Sequence, residues 1–211
     1  MIVIGLIGAI GSGKSTIAGF MQELGARVID ADKVGHQTYL PNSLSWQSIV
    51  DAFGERVISA DQSIDRKVLG DIVFNEPTKL SILNGITHPL IYEAVTEQLE
   101  ELRRNNTKMV VMEVLETVFL TDPKWKILAN EIWVAVAPED VIIERLEQSR
   151  LLSRSQIKAR LAVCMPQAEK LHYADRVINT NIPLQELREK ITSICTEISE
   201  LGPALQQRAE S

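Results

Sequence analysis

The sequence predicts an α/β fold of three layers with a five-stranded parallel sheet in the middle, and three features predict it. The apolar run Ile2-Val3-Ile4-Gly5-Leu6-Ile7 meets a glycine-rich stretch, Gly8-Ala9-Ile10-Gly11-Ser12-Gly13-Lys14-Ser15, which opens directly into a helical pattern carrying Ile17, Phe20 and Met21. Continuous apolar runs recur at 109–112 and 132–136, as strands buried on both faces require. Strand-like and helical runs also alternate along the core, the shorter strands being expected at 27–29 and 176–178.

The glycine-rich stretch fits G-x-x-x-x-G-K-[ST] and sits between a strand and a helix, the setting a phosphate-binding P-loop requires. Its glycines let the backbone curl with N–H groups pointing inward, and the helix start adds uncapped donors and a positive dipole end. Gly11, Ser12, Gly13, Lys14, Ser15 and Thr16 are therefore the expected nucleotide-binding residues. Lys14 supplies a mobile cation for the β and γ phosphates of a nucleoside triphosphate, and Ser15 a hydroxyl for Mg2+.

At 211 residues the chain has room for one α/β domain with an insertion. A net charge of -6 argues against a nucleic-acid surface, so anionic substrates must be held by local clusters. No apolar run approaches the roughly 20 residues that cross a bilayer. The sequence opens on a core strand, which reads as a cytoplasmic protein without a membrane partner, a monomer or weak homo-oligomer. Cys164 and Cys195 match no metal spacing and are expected as free thiols.

Taken in order, the first helix stops at Gly25, and the second strand runs into Asp30-Ala31-Asp32. The carboxyl ends of parallel strands line the ligand crevice, so these acids face the phosphate loop or cap the following helix. Asp32 is the expected general base and an acceptor contact, with Asp30 structural or near the magnesium shell. Residues 37–106 read as a helical acceptor-binding insertion with helices at 46–53, 65–74, 77–84 and 89–104, set into a core formed by 1–36 and 107–211.

Glu113, ending the third strand, is either a magnesium-shell carboxylate or a solvated strand end. Pro138 opens a helix over 139–148. Arg145, Arg150, Arg154, Lys158 and Arg160 then form a basic run, read as a lid over about 145–165 that projects together onto the nucleotide, with Arg145 and Arg150 in catalytic roles. Asn179 follows the last strand as a candidate adenine contact. A final amphipathic helix starts at Pro183 with Leu184, Leu187, Ile191, Ile194, Ile198 and Leu201 on one face.

Together these segments resemble dephospho-CoA kinases. The resemblance is carried by Gly5 to Thr16, Val28-Ile29-Asp30-Ala31-Asp32, Phe53-Gly54, Asp65-Arg66, Val73-Phe74, His88-Pro89-Leu90-Ile91, Arg145-Leu146, Ala159-Arg160, Met165-Pro166 and Ala174-Asp175-Arg176-Val177-Ile178. It implies transfer of the ATP γ-phosphate to the ribose 3'-hydroxyl of dephospho-CoA, with Asp32 as base and the insertion holding the acceptor near His88. His36 and His88 are candidate acceptor contacts, or ordinary histidines. The sequence departs from the family where Glu113-Val114-Leu115-Glu116-Thr117-Val118-Phe119 lacks the usual proline and two leucines, and at Ser149 and Cys164 in the lid. A nucleoside or nucleoside-monophosphate kinase and a non-catalytic nucleotide-binding paralogue are the alternative readings.

Overall fold

In a computed structural model of the chain, residues 1–114, 119, 122–150 and 153–208 are described, without the side chains of Arg150 and of 201–208. Part of the altered stretch after the third strand, and the Arg150 side chain assigned to the lid, lie outside the described residues.

Five strands form one parallel sheet: β1 (Ile2–Ile7), β2 (Arg27–Asp30), β3 (Met109–Glu113), β4 (Glu131–Val136) and β5 (Arg176–Asn179), in the spatial order β2-β3-β1-β4-β5. The most apolar strand takes the centre. Every residue of β1 is buried, because β3 and β4 flank it and helices cover both faces. Successive side chains of a strand point to opposite faces, and the two packing clusters divide β1 accordingly. Ile2, Ile4 and Leu6 pack with α1 (Lys14–Glu23) and with α10 (Leu184–Arg208) through Leu187, Ile191 and Ile198. Val3 and Ile7 pack on the other side with α2 (Ala31–Thr38), with Val95 and Leu99 of α5 (Pro77–Arg104), and with Trp125 of α6 (Pro123–Ile127).

Between β2 and β3 the chain is helical, through α2, α3 (Leu44–Phe53), α4 (Arg66–Val73) and α5. Ile49, Phe53, Val57, Ile64, Leu69 and Val73 form a separate small core here, which Leu80, Leu83 and Ile86 of α5 join. The helix break expected around 85–88 does not occur. α5 runs 28 residues with Pro89 inside it, because its first half packs into the small core and its second half into the sheet layer. The proline costs one internal hydrogen bond, and packing at both ends of the helix offsets that cost.

The lid region consists of α7 (Glu139–Arg150), α8 (Arg154–Ala162) and α9 (Gln167–Leu171). α8 begins with a full capping box, in which the Ser153 side chain accepts from the Gln156 amide and Gln156 returns the bond. Ile142, Ile143, Leu146 and Ile157 pack with Ala9 of the glycine-rich loop, so the lid helices share a core with that loop.

Candidate active site

The glycine-rich loop crosses from the end of β1 to the start of α1. Gly11 and Gly13 have φ of +77° and +93°, in the left-handed region, and a side chain at Gly13 would also press on Thr180. Gly13 is the N-cap of α1 and no side chain caps the helix start, which leaves that end of the helix open to an anion. The Lys14 ammonium folds back over the loop and donates to the carbonyl oxygens of Gly8 at 2.7 Å and Ala9 at 3.3 Å. Ser12 is 1% exposed and its Oγ has no hydrogen-bond partner, an orphan polar atom inside the cradle.

A line of polar groups leads from the loop along the carboxyl ends of the strands. The Ser15 hydroxyl donates to Glu113 Oε2 at 3.1 Å, and Glu113 stands opposite Asp30 in the β2–β3 register. Of the two readings of Glu113, the solvated strand end does not hold, since the residue is buried at 8% exposure. Burial, and then the neighbouring Asp30 carboxylate, push its carboxyl above the ordinary range, against the Ser15 hydrogen bond and the Lys14 and Lys33 charges. Asp30 is the N-cap of α2, accepting from the Lys33 amide at 3.1 Å and pairing with the Lys33 ammonium. Asp32 lies in the first turn of the same helix and is exposed. The capping reading of the aspartates thus holds for Asp30.

Thr180, immediately after β5, joins the loop to the lid. Its hydroxyl donates to the Ser12 carbonyl at 2.7 Å and lies 3.3 Å from the Val136 carbonyl. Arg145 of α7 donates to the Thr180 hydroxyl at 3.0 Å and to its carbonyl at 2.7 Å. Asn179 instead turns outward, its side-chain oxygen accepting from the Asn181 amide at 2.9 Å. Among the described residues the lid cations do not converge as a group. Arg145 faces Thr180, Arg160 stacks 5.0 Å from the centre of the Phe74 ring beside α4, and Arg154 and Lys158 are exposed. Ser149 bonds back to the Arg145 carbonyl at 2.6 Å, and Cys164 Sγ to the Arg160 carbonyl at 3.4 Å.

The two histidines flank the crossing of α2 on α5. Gly35 of α2 lies against Ile91, and His88 stands three residues before Ile91 on α5. Burial lowers the His88 pKa, with Asp122 opposing. His36 accepts from Arg66 Nη1 at 2.8 Å through Nδ1, and burial followed by the Arg66 charge lowers its pKa, with Asp30 opposing. Arg66 and Tyr39 are thus drawn to the same end of the crevice, although only Arg66 had been marked in the sequence, and by resemblance alone. Thr180 carried no sequence signal beyond its place at a strand end.

A polyphosphate fits this loop, since the backbone curl, the open helix start, the orphan Ser12 hydroxyl and the Lys14 ammonium all present positive or donor character. Among the described residues no group of three or more His, Cys, Asp or Glu side chains is placed to hold a metal. Ser15 and Glu113 together suit a magnesium ion, which takes few protein oxygens and completes its shell with water and phosphate. The dephospho-CoA kinase family model, CoaE, matches residues 2–186. The chain belongs to the dephospho-CoA kinase family. It is 40% identical to the dephospho-CoA kinase of Dehalococcoides mccartyi over 96% of this chain and 100% of that one. To the dephospho-CoA kinase of Carboxydothermus hydrogenoformans it is 36% identical, over 91% and 92% of the two chains.

Among solved structures, this family member superposes on the dephospho-CoA kinase from Campylobacter jejuni with a TM-score of 0.67 at 29% identity, over 94% and 97% of the chains. A shikimate kinase from Acinetobacter baumannii shares the fold, with a TM-score of 0.50 at 17% identity over 94% and 93%. The α/β fold expected from the sequence is that of a dephospho-CoA kinase with P-loop kinase neighbours. Among the described residues no helix is long and apolar enough to cross a membrane.

Proposed function

We propose that the chain transfers the γ-phosphate of ATP to the ribose 3'-hydroxyl of dephospho-CoA, giving coenzyme A and ADP. The observation that carries this reading is the unbroken line of polar groups from the phosphate loop through Ser15 and Glu113 to Asp30 at the head of α2. On one side lies a loop built for a polyphosphate, and on the other a helical unit with its own core.

In this reading Lys14 leaves the Gly8 and Ala9 carbonyls to meet the β and γ phosphates, and Gly11, Ser12, Gly13, Ser15 and Thr16 line the triphosphate cradle. Asp32 accepts the proton of the 3'-hydroxyl, whose oxygen attacks the γ-phosphorus as the bond to the bridging oxygen of ADP breaks. Its exposed place in the first turn of α2, two residues after the capping Asp30, supports that role. Ser15 and Glu113 would hold Mg2+, which supplies charge neutralisation on the phosphates. Arg145 and Arg150 stabilise charge from the lid, and Asn179 borders the adenine. His36, His88 and the helical unit of about 37–106 hold the acceptor. The partners are small molecules in the cytoplasm, and the chain acts as a monomer or weak homo-oligomer.

The test is ADP release with dephospho-CoA as acceptor, with and without magnesium, alongside a panel of nucleosides and nucleoside monophosphates. Lys14→Ala is expected to fold and to lose turnover. Asp32→Asn is expected to bind ATP and to lose roughly two to four powers of ten in rate, the range for loss of a general base. An unaltered rate in Asp32→Asn would move the base to Asp30 or Glu113, and turnover of another acceptor in preference to dephospho-CoA would replace the substrate assignment.

A further inference from the structure

Ser12, in the glycine-rich loop, has both of its backbone groups paired. Its amide donates to the Ala9 carbonyl at 3.1 Å, and its carbonyl accepts from the Thr180 hydroxyl at 2.7 Å. The side chain is left over: Ser12 is 1% exposed, and its Oγ has no hydrogen-bond partner among the described residues. A buried hydroxyl without a partner destabilises the state that contains it.

That hydroxyl lies against Gly8, where an added side chain would come within 2.6 Å of Ser12 Oγ. Gly8 is buried, and the Lys14 ammonium holds its carbonyl at 2.7 Å. The Ala9 carbonyl, which Lys14 approaches at 3.3 Å, has the Ser12 amide as a second donor. When Lys14 turns to the β and γ phosphates, Ala9 therefore keeps a partner, while the buried Gly8 carbonyl needs a replacement. With the Ser12 backbone tied at both its amide and its carbonyl, rotation about the Cα–Cβ bond is the motion that re-aims the hydroxyl.

We propose that Ser12 is a positioning residue whose hydroxyl takes the Gly8 carbonyl as Lys14 leaves it for the triphosphate. In the empty loop the ammonium holds the carbonyl and the hydroxyl is unpaired. In the loaded loop the hydroxyl holds the carbonyl and the ammonium holds phosphate. Loading thus relieves an unpaired group, which offsets the cost of detaching Lys14. This role rests on the phosphate-loop part of the function proposed above and is independent of the acceptor.

Thermal unfolding of the purified chain tests the exchange, both free and saturated with the magnesium complex of a non-hydrolysable ATP analogue. Ser12→Ala removes an unpaired hydroxyl from the free protein, so its Tm is expected to rise by roughly 2–4 °C, the shift such a group gives in a chain of this length. In the saturated protein the same variant leaves the Gly8 carbonyl without a donor, and its Tm is expected to lie below that of the wild type. In a Lys14→Ala background the carbonyl is open to Ser12 even without nucleotide. Adding Ser12→Ala there is expected to lower the free Tm instead of raising it. Free and saturated Tm moving together, the same sign of shift with and without Lys14, or failure of Ser12→Ala to fold would each overturn the exchange. The reversal of sign in a chain that yields no product from dephospho-CoA would sink the transferase reading and leave the Ser12 role standing.

Discussion

Thr180 is the residue on which the loop and the lid depend together. One hydroxyl accepts from Arg145 and donates to the Ser12 carbonyl, and the adjacent carbonyl takes the other arm of the same guanidinium. Thr180→Val keeps the shape and strands both partners of the hydroxyl, which costs about 1–3 kcal/mol for a buried group left unpaired. Its Tm is expected to fall, and its KM for ATP to rise more than its KM for the acceptor; equal changes in both would assign Thr180 to the fold alone. The loop itself was legible because Gly11 through Ser15 carry their meaning within a few positions. Thr180 was not, since the carbonyl it serves lies 168 residues away and a lone threonine after a strand has no pattern. A separation of 98 residues likewise hid the pairing of Ser15 with Glu113, although each was marked separately.

At the scale of elements, α5 shows where local rules yield to packing. A proline inside a helical pattern ordinarily ends or kinks the helix, and a break before Pro89 is the local expectation. The helix continues because Leu83 and Ile86 are claimed by the small core and Ile91, Val95 and Leu99 by the sheet layer. Pro89 thus stands where one core hands over to the other. Pro89→Ala restores the missing N–H toward the Gly85 carbonyl, and a helix-interior proline costs about 3 kcal/mol in an exposed helix. The midpoint of urea unfolding is expected to rise, by less than that figure because the surroundings are already fitted to the proline. A lower midpoint would mean that the cores require the local geometry proline imposes. The lid shows the same competition. Its five cations are a sequence-level group, yet the capped start of α8 and the Phe74 ring draw Arg160 toward α4 while Thr180 holds Arg145.

For the whole molecule, the strand set was legible because each strand is a continuous apolar run, and their boundaries moved by one residue where Asp30, Glu131 and Asn179 joined the ladders. The spatial order β2-β3-β1-β4-β5 is not written in any one segment and follows from burying the most apolar strand at the centre. Global stability also carries the signature of the two histidines at the α2–α5 crossing. Both pKa values are lowered from the ordinary 6.5, so the folded chain binds fewer protons than the unfolded one as pH drops past that value. Their contribution is fully present above pH 6.5 and is lost as pH falls below it toward the folded values. Glu113 acts in the opposite sense, since its raised pKa makes its ionisation a cost that fades only as pH falls toward 4.5. The Tm of the wild type is therefore expected to fall more steeply than that of His88→Gln between about pH 7 and pH 5. Parallel curves would remove His88 from the account.

The central claim is that one crevice brings the end of ATP to a ribose hydroxyl, and the position of the new phosphate tests it most directly. The purified chain is incubated with dephospho-CoA, ATP and magnesium, and the product is assigned by mass spectrometry and phosphorus NMR. The account predicts coenzyme A phosphorylated at the ribose 3'-oxygen, formed one for one with ADP and not formed by Lys14→Ala. ATP bound without product, or a phosphate found on any other oxygen, would contradict it.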